Sequence, residues 1–317
     1  MGHRRLWSWP PSVVMTPVVT VGLDGTPESL SAVRWAAREA ELRQATLRLL
    51  HAWVLLSVEP GGAVRESDQN YWAERIMAEA LRTVTERHPD LSVVEDMVAQ
   101  DPVGALLAAA RESDALVLGS QDMAPMASYF LGQAGLHVVA RADGPVVLVR
   151  AGDDVLVRAD DDRDDTASVV EGRDVVMGLS LHGPCDALIE FAFDSAARRG
   201  VTLRAVHGRN LPPPAFTHGG GAAPYTPGTV AGRAAREARE ELAGALRPWR
   251  EKYPEVCVED TVWVESAART VVRGAAGAGL LVVGRRRTRP ALSPRVGHVL
   301  SASLHHAPCP VAVVPHD

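Results

Sequence analysis

The chain carries one pattern twice, and nothing else in it limits the possible folds as much. Thr46-Leu47-Arg48-Leu49-Leu50-His51 returns 156 residues later as Thr202-Leu203-Arg204-Ala205-Val206-His207. Asp114-Ala115-Leu116-Val117-Leu118-Gly119 is answered by Ala278-Gly279-Leu280-Leu281-Val282-Val283-Gly284. Both copies close on Pro-Val and a short apolar run, at Pro145–Val149 and Pro310–Val314. A period of about 150 residues is too long for a solenoid and reads as one whole domain duplicated. Positions that agree between the copies are those the fold needs. Positions that differ are free to report function.

Length supports two domains, since 317 residues divide into two units of about 150, each able to bury a core. A net charge of −6 gives no reason to expect a nucleic-acid or anionic-membrane partner. The cysteines, Cys185, Cys257 and Cys309, are odd in number and far apart, as in a reducing compartment. No apolar run approaches the roughly 18 residues that span a bilayer, so a cytoplasmic location is expected. Leu6–Trp9 is too short and too rich in Trp for a signal sequence. Residues 1–15 read as a disordered tail, with both Met1 and Met15 standing as starts.

Each copy alternates strands and helices. Val18–Leu23 is a nearly continuous β-branched run, the mark of a strand buried on both faces. Thr26-Pro27-Glu28 then supplies an N-cap, a proline at the first helical position and an acid in the first turn. Further strands are expected at 47–53, 92–98, 115–119 and 145–149, with helices to about Gln44, over 71–88, from Asp101-Pro102 to about Ser113, and over 132–142. The second copy repeats this order from Val175, with Pro184 opening its first helix and Arg233–Lys252 its second. Such alternation specifies a parallel sheet with helices on both faces, an α/β fold of doubly wound type. The domains are therefore set at 16–151 and 174–317.

Two stretches leave the pattern. Residues 152–173 hold seven Asp between Asp153 and Asp165, which reads as a solvated linker, with a metal-binding acidic tract as the other reading. Asn210–Gly232, rich in Pro and Gly, makes the second copy nine residues longer and is either functional or merely tolerated.

In an open doubly wound sheet, ligands bind where connections leave in opposite directions, beyond the carboxyl ends of the strands. Two clusters meet there: Asp24-Gly25-Thr26 after the first strand and the loop Gly119–Gly132 after the fourth. The block Val21-Gly22-Leu23-Asp24-Gly25-Thr26-Pro27-Glu28-Ser29, the glycine-containing loop and the ending His305-His306-Ala307-Pro308-Cys309-Pro310-Val311 resemble the universal stress protein family, in its tandem form. The resemblance covers both copies. It implies five-stranded parallel sheets of order 3-2-1-4-5, with strand 5 pairing two domains edge to edge, and an internal pairing or a homodimer follows from it. It also implies an ATP or related adenine nucleotide held by an Asp after strand 1, by the end of strand 2 at Ala52, and by a loop Gly-x2-Gly-x9-Gly-Ser/Thr around the phosphates.

Neither copy keeps that loop. The first has Gly119 and Gly132 correctly spaced, but Asp122 stands at the middle glycine and Gln133 at the Ser/Thr. A carboxylate there opposes a triphosphate, while Gln133 can still donate a hydrogen bond. The second keeps Gly284 and Gly297, with Arg287 and His298 at the variable positions, and its run Arg285-Arg286-Arg287 suits phosphate. Its counterpart of Asp24, however, is Ser180. Asp24 could equally serve as a helix cap, the two glycines as turn residues, and the arginines as a solvated face. His51 and His207 read as packing or hydrogen-bonding residues, and His305, His306 and Cys309 as an ordinary approach to the last strand rather than a metal site.

Catalytic signatures are missing. The chain has no Gly-x4-Gly-Lys-Ser/Thr loop, no Gly-x-Ser-x-Gly elbow and no His-Glu-x2-His, and its one lysine is Lys252. The function expected is a stress-response regulator binding an adenine nucleotide in its first domain, not an enzyme. The alternatives are a nucleotide-independent interaction module and, last, a slow nucleotide hydrolase.

Overall fold

The computed structural model describes residues 16–53, 66–120, 133–151, 173–210, 230–288 and 296–317. The expected tail, and the acidic linker apart from Arg173, lie outside them, as do Gly132 and most of the Pro/Gly-rich stretch. The first half runs β1 (Val18–Leu23), α1 (Pro27–Arg43), β2 (Thr46–Ala52), α2 (Glu66–Thr85), β3 (Val93–Val98), α3 (Pro102–Glu112), β4 (Ala115–Ser120), α4 (Gln133–Arg141) and β5 (Val146–Arg150). The second runs β6 (Val175–Gly178), α5 (Asp186–Arg199), β7 (Leu203–Gly208), α6 (Val230–Lys252), β8 (Val258–Trp263), α7 (Ala267–Gly274), β9 (Leu280–Arg286), α8 (His298–His306) and β10 (Val311–His316).

The strands form a single ten-stranded sheet of order β3-β2-β1-β4-β5-β10-β9-β6-β7-β8. Within each half all pairing is parallel, and the halves meet where β5 and β10 run antiparallel, Val147 facing Ala312. The edge that a parallel sheet would expose at its fifth strand is thus covered by the other half. Alternation along the strands explains the two helical layers. Val19 and Val21 of β1 and Ala115 and Val117 of β4 pack on the side of α1, α2, α5 and α6. Leu116 and Leu118 point the other way, among Ala109, Val138, Val271 and Leu300 of α3, α4, α7 and α8.

Caps behave as their residue types dictate. Thr26 caps α1 by accepting from the Ser29 N–H at 3.2 Å, and Asp101 caps α3 by accepting from the Gly104 N–H at 2.8 Å. Three helices start elsewhere than expected. α2 begins at Glu66, before Tyr71, and α6 at Val230, before Arg233. α5 begins at Asp186 rather than at Pro184, because Gly183 takes φ +111° and Cys185 becomes the cap without a side-chain hydrogen bond. Compared with α1 at the 156-residue offset, the second copy therefore lacks its first helical turn.

The halves are also tied on both faces of the sheet. Arg285 donates to the carbonyls of Ala140 and Ala142 at the end of α4, and Arg150 to those of Leu304 and Ala307 at the end of α8. Each half sends one cation to the negative helix end of the other. On the opposite face Glu39, only 1% exposed, is bound by Arg43 of its own helix and by Arg199 of α5. Arg199 lies over the Trp35 ring and Arg43 over the Phe191 ring, 5.8 and 5.2 Å from the centroids.

Candidate functional site

The strand order puts the switch of direction between β1 and β4 in the first half and between β6 and β9 in the second. Each switch point opens a cavity, and the two are built from matching positions.

In the first half the cavity holds about 290 Å³. Asp24, Ala52 and Gly119 line it, with Leu50, Leu106 and Leu118 making an apolar floor. Asp24 is exposed at the mouth, where Oδ1 accepts from the Thr26 hydroxyl at 2.6 Å and from the Thr26 N–H at 3.0 Å. The helix cap is Thr26 and not Asp24, whose carboxylate instead fixes the turn before it. Gly25 makes that turn at φ +81°, and a Cβ there would stand 3.0 Å from the Ile76 side chain. Gly25→Ala is accordingly expected to lower stability by about 1–2 kcal/mol, read from urea unfolding; an unchanged midpoint would show that the turn relaxes.

Gly119 has a packing reason to be glycine. A Cβ there would come within 2.6 Å of the backbone of Glu28 and Ser29, the first turn of α1. Gln133 begins α4, so its backbone stands at that helix's amino end. Gly132 lies outside the described residues.

The second cavity is larger, about 530 Å³. In the slot over Gly284 stands the His316 imidazole, with Nε2 2.6 Å from the position a Cβ would take. Gly284, Arg286, Gly297 and His298 all line this cavity, as expected. Arg287 does not. It donates to the Asp143 carbonyl of the first half at 3.0 Å. The reason is the two-residue period of the strand. Arg285 and Arg287 turn toward the first half, whereas Arg286 turns to the His182 carbonyl at 2.6 Å. The arginine run is thus split between two tasks, and only one member is available to a ligand in the cavity.

Ser180 keeps the turn chemistry of Asp24 without its charge, its Oγ accepting from the His182 N–H at 3.3 Å. His51 and His207 occupy matching places, each with Nδ1 2.8 Å from a backbone carbonyl, that of Leu23 or Leu179. A carbonyl only accepts, so in each ring the hydrogen sits on Nδ1 and the Nε2 of the neutral ring is an acceptor. His51 stacks on Trp53, with centroids 5.6 Å apart. His207 is 5% exposed, and its Nε2 is buried with no hydrogen-bond partner among the described residues. Burial pulls its pKa down, although the Leu179 carbonyl acts the other way, so the ring is neutral at physiological pH. The Cys185 thiol, bonded to the carbonyls of Ser180 and Gly183 at 3.5 Å, is pushed up by burial against the pull of Arg286 and stays protonated.

Sequence reasoning missed Cys185 and His316 as lining residues. His316 leaves no local signal, since its place follows from an unwound turn on another element. His207 was legible as a hydrogen-bonding residue but not as one with a spare acceptor.

Residues 15–150 and 172–315 each match the family model described as the Universal stress protein family. The universal stress protein Rv2005c of Mycobacterium tuberculosis (strain ATCC 25618 / H37Rv) is 29% identical over 305 residues, spanning 93% of this chain and 96% of its own. Universal stress protein Rv2623 of the same organism is 27% identical over 305 residues, covering 93% and 95%. Among solved structures, a universal stress protein from Archaeoglobus fulgidus DSM 4304 superposes with a TM-score of 0.65 at 14% identity, over 95% of this chain and 98% of that one.

Proposed function

The chain belongs to the universal stress protein family, and on that premise we propose that its first half binds an adenine nucleotide, ATP, and that it acts as a stress-response regulator and not as an enzyme. The observation that carries this reading is the placement of Asp24 at the mouth of an apolar cavity on the switch point between β1 and β4. One carboxylate oxygen fixes the turn, and the other is open to a ribose hydroxyl or a base N–H. Leu50, Leu106 and Leu118 offer apolar surface to a base. The amino end of α4 supplies backbone donors to phosphate in place of the missing Ser/Thr.

One observation favours the second reading, an interaction module that needs no nucleotide. Gly119 is explained by the close approach of α1 alone, so its presence is no argument for a bound phosphate. Calorimetry on the full chain separates the two. Asp24→Ala is expected to weaken ATP about tenfold or more, the value of a charged hydrogen bond, while Ser180→Ala leaves it unchanged. No saturable heat with ATP, ADP or AMP would hand the case to the interaction module.

A further inference from the structure

We propose that the segment Arg4–Trp9 of this chain adds an antiparallel strand to the open edge of the sheet at β3. The proposal concerns neither cavity and stands without the nucleotide reading.

The sheet ends on β3 at one side and β8 at the other. They are matching strands of the two copies, Val93 pairing with Leu47 as Val258 pairs with Leu203, yet they are finished differently. β8 is guarded. Arg250 of α6 reaches the Val258 carbonyl at 3.4 Å and the Asp260 carboxylate at 2.6 Å, and Glu259 exposes a further charge on the edge. Charges and covering side chains are common means of keeping an edge from pairing.

β3 keeps an exposed acid, Glu95, at the place of Asp260, but not the arginine over it. The residue matching Arg250 is Thr85, whose hydroxyl turns back to the Arg82 carbonyl at 3.3 Å. Val94 stands at the place of Glu259, and Met97 at that of Val262. Val94 and Met97 are 49% and 43% exposed, whereas Val262 is 2% exposed. The backbone is open on the same side. Ser92 and Val98 give their carbonyls to β2, and the alternation of a parallel ladder turns the N–H and C=O groups of Val93, Glu95 and Met97 away from it.

Reach, sequence and charge together specify the occupant. Residues 1–15 precede the half whose edge is open. The strands of that half start level, since the Thr46 N–H bonds to the Pro17 carbonyl and the Leu47 N–H to the Ser92 carbonyl, both at 2.9 Å. A strand outside β3 lies three strand spacings from β1, roughly 15 Å, and Pro10–Pro17 extended spans roughly 25 Å. Followed back from Pro17, the chain meets β3 at its amino end. Arg4–Trp9 therefore runs antiparallel to it, an edge addition that parallel sheets often carry. Leu6-Trp7-Ser8-Trp9 places strand-forming aromatics at alternate positions, on one face. Pro10-Pro11 then stops the pairing. Arg4 and Arg5 bring positive charge to an edge that exposes Asp90 and Glu95.

Residue-resolved hydrogen exchange on the full-length chain tests the assignment. The outward amides of Glu95 and Met97 are expected to be protected. In the double variant Trp7→Ser, Trp9→Ser they exchange about tenfold faster or more, each having lost a hydrogen bond. In Arg4→Glu, Arg5→Glu the same amides exchange about twofold to fivefold faster, the value of a cross-strand charge pair. The amides of Val258 and Asp260 in β8 keep their rates in both variants. Unprotected Glu95 and Met97 amides in the unaltered chain overturn the proposal, as do rates that neither variant changes. A loss equally large at β8 overturns it too, because the effect is then general. So does protection that rises with protein concentration together with a doubled mass in sedimentation, which puts the segment on the edge of a second copy.

Discussion

Glu39→Met lowers the unfolding free energy of the chain by about 3–5 kcal/mol, the cost of breaking a buried ion pair and leaving its partner's charge in place. Glu39 is 1% exposed and serves two arginines, Arg43 of α1 and Arg199 of α5. The two arginines are equivalent by the 156-residue repeat, as are Trp35 and Phe191 beneath them. The carboxylate has no such twin. Its counterpart is Ser195, whose buried Oγ has no hydrogen-bond partner among the described residues. A single acid therefore neutralises a symmetric pair, and its removal is felt in both halves. Arg43 retains Asp194 at 3.0 Å, so most of the loss falls on Arg199. The double variant Glu39→Met, Arg199→Met should recover part of it, because a pair removed together costs less than one partner removed alone. Calorimetric unfolding is the measurement, and a loss below about 1 kcal/mol would place this cluster with solvated surface pairs.

The same site fixes a dependence on pH. Burial by itself raises the Glu39 pKa, but the charges of Arg199 and Arg43 and their hydrogen bonds outweigh it and hold the carboxyl below its ordinary value. A carboxylate depressed on folding contributes stability that is complete above the unfolded pKa, about 4.3, and is lost as pH falls through the folded value. The gap between the unaltered chain and Glu39→Met should therefore be constant from neutral pH to about pH 5 and close in stronger acid.

How far the sequence could be read is set by the range of the interactions involved. Strand identity and the caps at Thr26 and Asp101 follow from residues close together in sequence, whereas the edge-to-edge use of the fifth strands came only with the resemblance to the family. Arg285, Arg286 and Arg287 form a charge cluster in sequence, but β9 continues through Arg286 and divides them by its period of two. That division was open to reading had the strand been extended past Gly284. The start of α5 was misread because Pro184 imitates Pro27, although no Ser, Thr or Asp precedes it to act as cap. The bridging role of Glu39 had no local signal, since its second partner lies 160 residues away in α5.

Gly119 and Gly284 look alike in sequence, and substituting each by alanine should separate them sharply. They stand at the same place in β4 and β9, at equal spacing from Gly132 and Gly297. At Gly119 an added methyl would lie 2.6 Å from the backbone carbonyl carbon of Glu28 and the nitrogen of Ser29. Backbone in the capped first turn of α1 cannot retreat without giving up the Thr26 cap, so Gly119→Ala is expected to cost about 3 kcal/mol or more, at the upper end for overpacking. At Gly284 the methyl would meet the His316 ring and, at 3.3 Å, the Leu188 side chain. The His316 ring tip can shift where backbone cannot, at the expense of its Nδ1 contact with the Pro184 carbonyl at 3.2 Å, and the cost should stay at about 1 kcal/mol, the low end for overpacking. Urea unfolding of both variants gives the comparison. Equal losses would mean that the glycine in the second copy is also held by the fold, and that the unwound turn before α5 leaves no room to adjust. Unequal losses in the expected order would mean that the second copy has been released from the close helix-on-strand packing that Gly119 makes with α1 in the first.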